Sequence, residues 1–101
     1  MRARRKDGNH HEVVRAFESL NCIVEDMTAT DNFCDVHVSL DGLQWAWIEI
    51  KDGNKKLTKG EIKFQAKCQE LNQPYFIVRS ASEVERVVSE IKQYCKGKDN
   101  E

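Results

Sequence analysis

The chain has 101 residues, 33% of them charged, and its 16 Lys and Arg against 17 Asp and Glu leave a net charge of −1. That length suits one domain with a modest core, and the near-neutral total argues against a general polyanion binder. No apolar run is long enough to cross a bilayer and no signal-peptide core is present, so the expectation is a soluble cytoplasmic protein without a membrane partner.

The charges are unevenly placed. Arg2, Arg4, Arg5 and Lys6 form a basic run, read as a flexible arm over residues 1–8. Lys51, Lys55, Lys56, Lys59, Lys63 and Lys67 crowd the middle of the chain, and acids near the C-terminus offset them. A basic face can therefore hide inside a neutral total. The cysteines (Cys22, Cys34, Cys68, Cys95) show no C-x-x-C spacing, and Cys34-x-x-His37 has no second pair. Reduced, partly buried thiols are the simpler account than zinc.

Taken in order, Val13, Val14, Phe17 and Leu20 keep helical spacing from about Asn9 to Leu20, with Asn9 placed as N-cap. Cys22 to Met27 reads as a short strand and "TATDN" as a loop. Asp35 to Leu40 alternates strictly, with Val36, Val38 and Leu40 on one face. Asp41-Gly42 is a hairpin signal, so the strand Leu43 to Ile50 runs antiparallel to the one before it.

After the polar loop "KDGNKK", Thr58 and Glu61 form a capping box that opens a helix to Leu71. "PYFIVR" reads as a buried strand. Ser82 and Glu85 suggest a second capping box before an amphipathic helix on Val84, Val87, Val88, Ile91 and Cys95, ended by Gly97. The order predicts an α/β fold with a mixed four-stranded sheet flanked by helices, one domain over residues 9–96 and a short disordered tail over 97–101.

That order gathers charge at one sheet edge. Asp35 begins one strand and Glu49 ends its hairpin partner, so antiparallel pairing sets them side by side. Glu49 and Lys51, two apart on a strand, project to the same face. An exposed Glu-x-Lys pair alone is an ordinary salt bridge contributing about 0–1 kcal/mol. A second carboxylate beside it changes the reading, because two such groups repel unless a proton or cation lies between them. Oxygen ligands with an open position suit Mg²⁺ or Mn²⁺. Lys51 could orient or deprotonate a water and offset charge on phosphorus, as metal-dependent phosphodiester hydrolysis requires.

Asp35-x13-Glu49-x-Lys51 in this element order resembles the PD-(D/E)xK nuclease superfamily and, more narrowly, the small VRR-NUC domains found alone in phages and bacteria or fused into repair nucleases. The resemblance covers residues 4–90 and rests on "NHHEVVRAFESLNC", "CDVHVSL", "WIEIKDGNKKLTKGEIKFQ" and "FIVRSASEVERVV". It departs where Cys34 stands for the usual proline and "TATDNF" for a glycine-rich approach.

The resemblance implies a restriction-endonuclease-like αβββαβ core plus a C-terminal helix. It implies an Mg²⁺ or Mn²⁺ site at Asp35, Glu49, Ile50 and Glu12, with Asp35, Glu49, Lys51 and Gln65 catalytic and no organic cofactor. DNA contact is expected from Arg4, Arg5, Lys6, His10, Lys55, Lys56 and Lys59. Similarity of stand-alone relatives to Holliday-junction resolvases implies a branched DNA substrate and a homodimer, with spare apolar surface on the helix from Thr58 to Leu71 and at Trp45 and Trp47. The competing readings are a catalytically silent nucleic-acid-binding module of the same fold and a flap- or RNA-directed nuclease.

Overall fold

The computed structural model describes residues 6–29, 34–41 and 44–99, with side chains as far as Tyr94. The elements are α1 (His10–Ser19), β1 (Ile23–Asp26), β2 (Val36–Asp41), β3 (Gln44–Ile50), α2 (Lys59–Glu70), β4 (Tyr75–Val78), a 3₁₀ turn (Ala81–Glu83) and α3 (Val84–Asp99). The strands lie in the order β1-β2-β3-β4. β1, β2 and β3 form an antiparallel meander, whereas β4 joins β3 in parallel, because α2 crosses the sheet between them. This is the mixed sheet flanked by helices that the element order predicts. Among the described residues no helix is long and apolar enough to cross a membrane.

Strand alternation divides the sheet into two unlike faces. Val36, Val38, Ala46, Ile48, Ile50 and Val78 point one way and meet Val13 and Phe17 of α1 and Val84, Val87 and Ile91 of α3, forming the apolar core. The opposite face carries Trp45, Trp47 and Glu49 of β3, with Lys51 just beyond its end, and α2 lies over part of it. Helices α1 and α2 both stop at asparagines in left-handed conformation, Asn21 at φ 65° and Asn72 at φ 54°. Asn tolerates that conformation better than most residues, so it ends a helix much as glycine does.

Three local expectations change. Asn9 stands at the N-cap of α1 but makes no side-chain cap; its amide instead donates to the Lys51 and Arg79 carbonyls at 3.2 and 2.9 Å. The Ser82–Glu85 capping box gives way to the 3₁₀ turn, in which Glu83 reaches back to accept from the Arg79 amide at 2.6 Å. Helical geometry in α3 runs through Gly97 to Asp99, since a glycine costs a helix only about 1 kcal/mol and is no obligatory stop. The Thr58–Glu61 box forms in full. The Asp41-Gly42 turn falls partly outside the described residues, but β2 and β3 pair in the antiparallel register it implies.

Candidate active site

Asp35 is fixed by its backbone before its side chain acts. Its N–H donates to the Ile48 carbonyl at 3.0 Å, and its own carbonyl accepts from Met27 at 2.8 Å. Its Oδ2 then accepts the Ile50 N–H at 2.8 Å, which ties the start of β2 to the end of β3. A residue in a strand turns its N–H and C=O the same way, so Ile50 also directs its carbonyl toward the Asp35 side.

Glu49 stands on the neighbouring position of β3 and is 1% exposed. Burial, then Asp35 and Glu61, push its carboxyl pKa well above the ordinary range. Its Oε1 is buried without a hydrogen-bond partner. The charged cluster therefore contains an unmet acceptor.

Lys51 comes next on the same face, and Nζ lies 2.8 Å from Glu61 Oε1, with side-chain exposures of 9% and 7%. Burial pulls the Lys51 pKa down, but the hydrogen bond and charge of Glu61, with Glu49 and Asp7, raise it overall. Lys51 is thus a held cation. Burial likewise opposes ionisation of Glu61, yet Lys51 and the Thr58 amide lower its pKa below the usual carboxylate value. Glu61 Oε1 also accepts the Thr58 N–H at 2.8 Å, so one carboxylate caps α2 and clamps Lys51.

Gln65, expected to be catalytic, is not the α2 residue paired with Lys51; that is Glu61. Glu61 lies in the first turn of α2, and Gln65 lies about 6 Å further along the axis. It lines a separate cleft with Cys68, Gln69, Tyr75 and Tyr94. Glu61 was visible in the sequence only as the second half of a capping box. Nothing in the spacing shows that the same carboxylate also faces Lys51.

Glu12, expected at the metal, lies on the exposed side of α1. At about 100° per residue it points away from a helix face two positions earlier. His10, Val13 and Phe17 form the buried face of α1, which leaves Glu12 exposed. His10 is 3% exposed and so is withdrawn from the DNA-facing surface assigned to it. Burial lowers its pKa while the charge of Asp35 works against that, and its Nδ1 is buried without a partner. His10 is thus a buried α1 side chain that feels the charge of Asp35.

Lys55, Lys56 and Lys59 are exposed around the loop after β3. That loop is rigidly held. Arg79 donates to the Gly53 and Lys55 carbonyls at 2.9 and 2.7 Å, and Asp7 accepts the Asp52 N–H at 2.6 Å. Gly53 sits at φ 59°, where a side chain would be strained. Lys6, expected on the DNA face, pairs with Asp26 at 2.9 Å. Arg4 and Arg5 lie outside the described residues. Cys34, at the position of the usual proline, is fully buried, and its thiol donates to the Val36 carbonyl at 3.3 Å. Burial pushes its pKa up to about 12.

Among the described residues no three His, Cys, Asp or Glu side chains are gathered to hold a metal ion. A site built from the Asp35 and Glu49 side chains with the Ile50 carbonyl needs only two such side chains. The orphaned Glu49 Oε1 and the oxygen-rich donor set fit a hard divalent cation.

No protein-family model and no curated protein matches the chain. Its architecture is of the restriction-endonuclease-like α/β class. More narrowly, a solved structure described as a VRR-NUC domain superposes with a TM-score of 0.67 at 19% identity, covering 82% of this chain and 97% of that one. The chain has the VRR-NUC fold.

Proposed function

We propose that the protein is a metal-dependent endonuclease that hydrolyses phosphodiester bonds in DNA. The observation that carries this reading is the buried Asp35–Glu49 pair beside Lys51, two acids and a lysine gathered where β2 begins and β3 ends in a VRR-NUC fold. Burying that cluster costs stability unless a ligand uses it. Asp35, Glu49 and the Ile50 carbonyl would hold Mg²⁺ or Mn²⁺, which when bound would supply Lewis acidity and lower the pKa of a water.

The residues of the chain divide the remaining work. Lys51, kept charged by Glu61, offsets negative charge at the phosphate rather than removing a proton from water. Asp35 orients the end of β3 through the Ile50 amide. Asn9 joins α1 to the Lys51 and Arg79 carbonyls and so holds the carboxyl ends of β3 and β4 together.

For substrate, the reading is branched DNA recognised by shape. Lys55, Lys56 and Lys59 would meet phosphates. Two symmetric nicks in a four-way junction call for two sites, which a two-fold homodimer provides. Ile62 on α2 and Leu71 at its C-cap, 52% and 59% exposed, are apolar surface for it.

Incubating the purified chain in Mn²⁺ with a four-way junction, a flap and a plain duplex tests the reading. Junction cleavage is the expected result, and cleavage of none of them rejects it. Light scattering that gives a monomer with and without junction DNA rejects the dimer.

A further inference from the structure

α2 carries Lys59, Lys63 and Lys67 at four-residue intervals. This spacing places them on one ridge, about 6 Å apart along the axis. All three are exposed, and none has an ion-pair partner among the described residues. Like charges at that spacing repel and destabilise a helix, and Lys59 adds a cation at the helix N-terminus, where the dipole disfavours it. The helix tolerates a basic ridge that its own residues do not neutralise.

The ridge borders aromatic surface. Lys59, Gly60, Lys63, Phe64 and Lys67 line a cleft of about 350 Å³. From Phe64 the rings continue over the sheet face that α2 partly covers. Phe64 meets Trp47 at 5.7 Å, and Trp47 meets His37 at 4.8 Å and Trp45 at 5.6 Å. His37 and Trp45 are stacked, 27° from parallel. All four residues are half-buried. Trp45 and Trp47 share their strand face with Glu49, so the row leads along β3 toward the acids.

Phosphate-binding cations beside open aromatic rings are the combination that binds single strands without sequence preference. We propose that the α2 ridge and the Trp45–His37 stack form a track for single-stranded nucleic acid, with phosphates on Lys63 and Lys67 and an unpaired base on Trp45. The track delivers a splayed strand toward Glu49 and Lys51. It rests on the nuclease reading for what lies at its end. Glu25, opposite His37 in the β1–β2 register, marks its acidic border.

The two tryptophans of the chain, Trp45 and Trp47, are both in this row, so their emission reports occupancy directly. The test titrates the chain in EDTA with oligothymidylate, oligouridylate and a blunt duplex, following tryptophan emission and the anisotropy of labelled strands. Saturable quenching by the single strands, weaker for the duplex, is expected. Lys63→Gln with Lys67→Gln should weaken single-strand binding about tenfold and reduce its log–log salt slope by about 1.4. Trp45→Ala should weaken it about 5- to 140-fold, the range of one base–aromatic stack. The exposed lysine pair serves as the control for a tryptophan variant that fails to fold.

Tighter binding of duplex than single strand overturns the proposal, as does an unchanged affinity in the lysine variant. Affinity lost in that variant without any quenching by wild type also overturns it, leaving only an electrostatic ridge. Cleavage in Mn²⁺, assayed in parallel, separates the two readings. A chain that cuts but shows no quenching refutes the track, and one that quenches but never cuts refutes the nuclease.

Discussion

Lys51 Nζ and Glu61 Oε1 lie 2.8 Å apart with both side chains almost wholly buried. A strand end and a helix start, ten residues apart in sequence, meet at that pair. Breaking a buried pair strands the surviving charge, which typically costs about 3–5 kcal/mol. Glu61→Ala should fall near the low end, about 3 kcal/mol, because it also removes a carboxylate that crowds Glu49. Glu61→Gln keeps a capping oxygen and should lose less. Urea denaturation midpoints of the two variants check the order, and equal losses would refute the clamp.

Glu49 makes the metal-free fold sensitive to pH. Its folded pKa lies above the unfolded value, so between the two the folded state holds a proton that the unfolded chain has released. Stability should therefore fall as pH rises from about 4.5, the ordinary value for Glu. Glu49→Gln, neutral throughout, should flatten that slope in EDTA and be more stable than wild type at pH 7, by on the order of 1–3 kcal/mol. Melting temperatures across pH 5 to 8 decide it; a variant less stable than wild type at pH 7 would mean that Glu49 is not crowded.

Asn9 should matter more than its place in an ordinary helix start suggests. Asn9→Ala removes the donors to the Lys51 and Arg79 carbonyls. Leaving such groups unpaired costs about 1–3 kcal/mol. Asn9→Ser, a good N-cap, should not rescue it, because the wild-type side chain does not cap. Full rescue by Ser in a denaturation experiment would show that capping was the role.

The periodicities that announce the fold are local, and so they were legible. Val36, Val38 and Leu40 alternate, Thr58 and Glu61 sit three apart, and Asp35 and Glu49 flank a hairpin, each pattern stating its own geometry. What was misassigned depends on where a helix docks. Gln65 and Glu61 are one turn apart on the same side of α2, and only the packing of that helix over β3 decides which meets Lys51. The face of α1 was readable from Val13 and Phe17, and extending it back one turn selects His10 over Glu12. Asn9 looked like a cap because Asn favours that position, whereas a long-range contact claims its side chain.

The central claim is that Asp35, Glu49 and Lys51 together hydrolyse DNA. Single-turnover cleavage of a branched DNA in Mn²⁺ by wild type and Asp35→Asn tests it most directly, with circular dichroism confirming that both are folded. Even residues that only support metal ligands alter activity about 10- to 100-fold, so loss of a ligand should slow cleavage by at least about a hundredfold. Cleavage by Asp35→Asn at the wild-type rate would contradict the account.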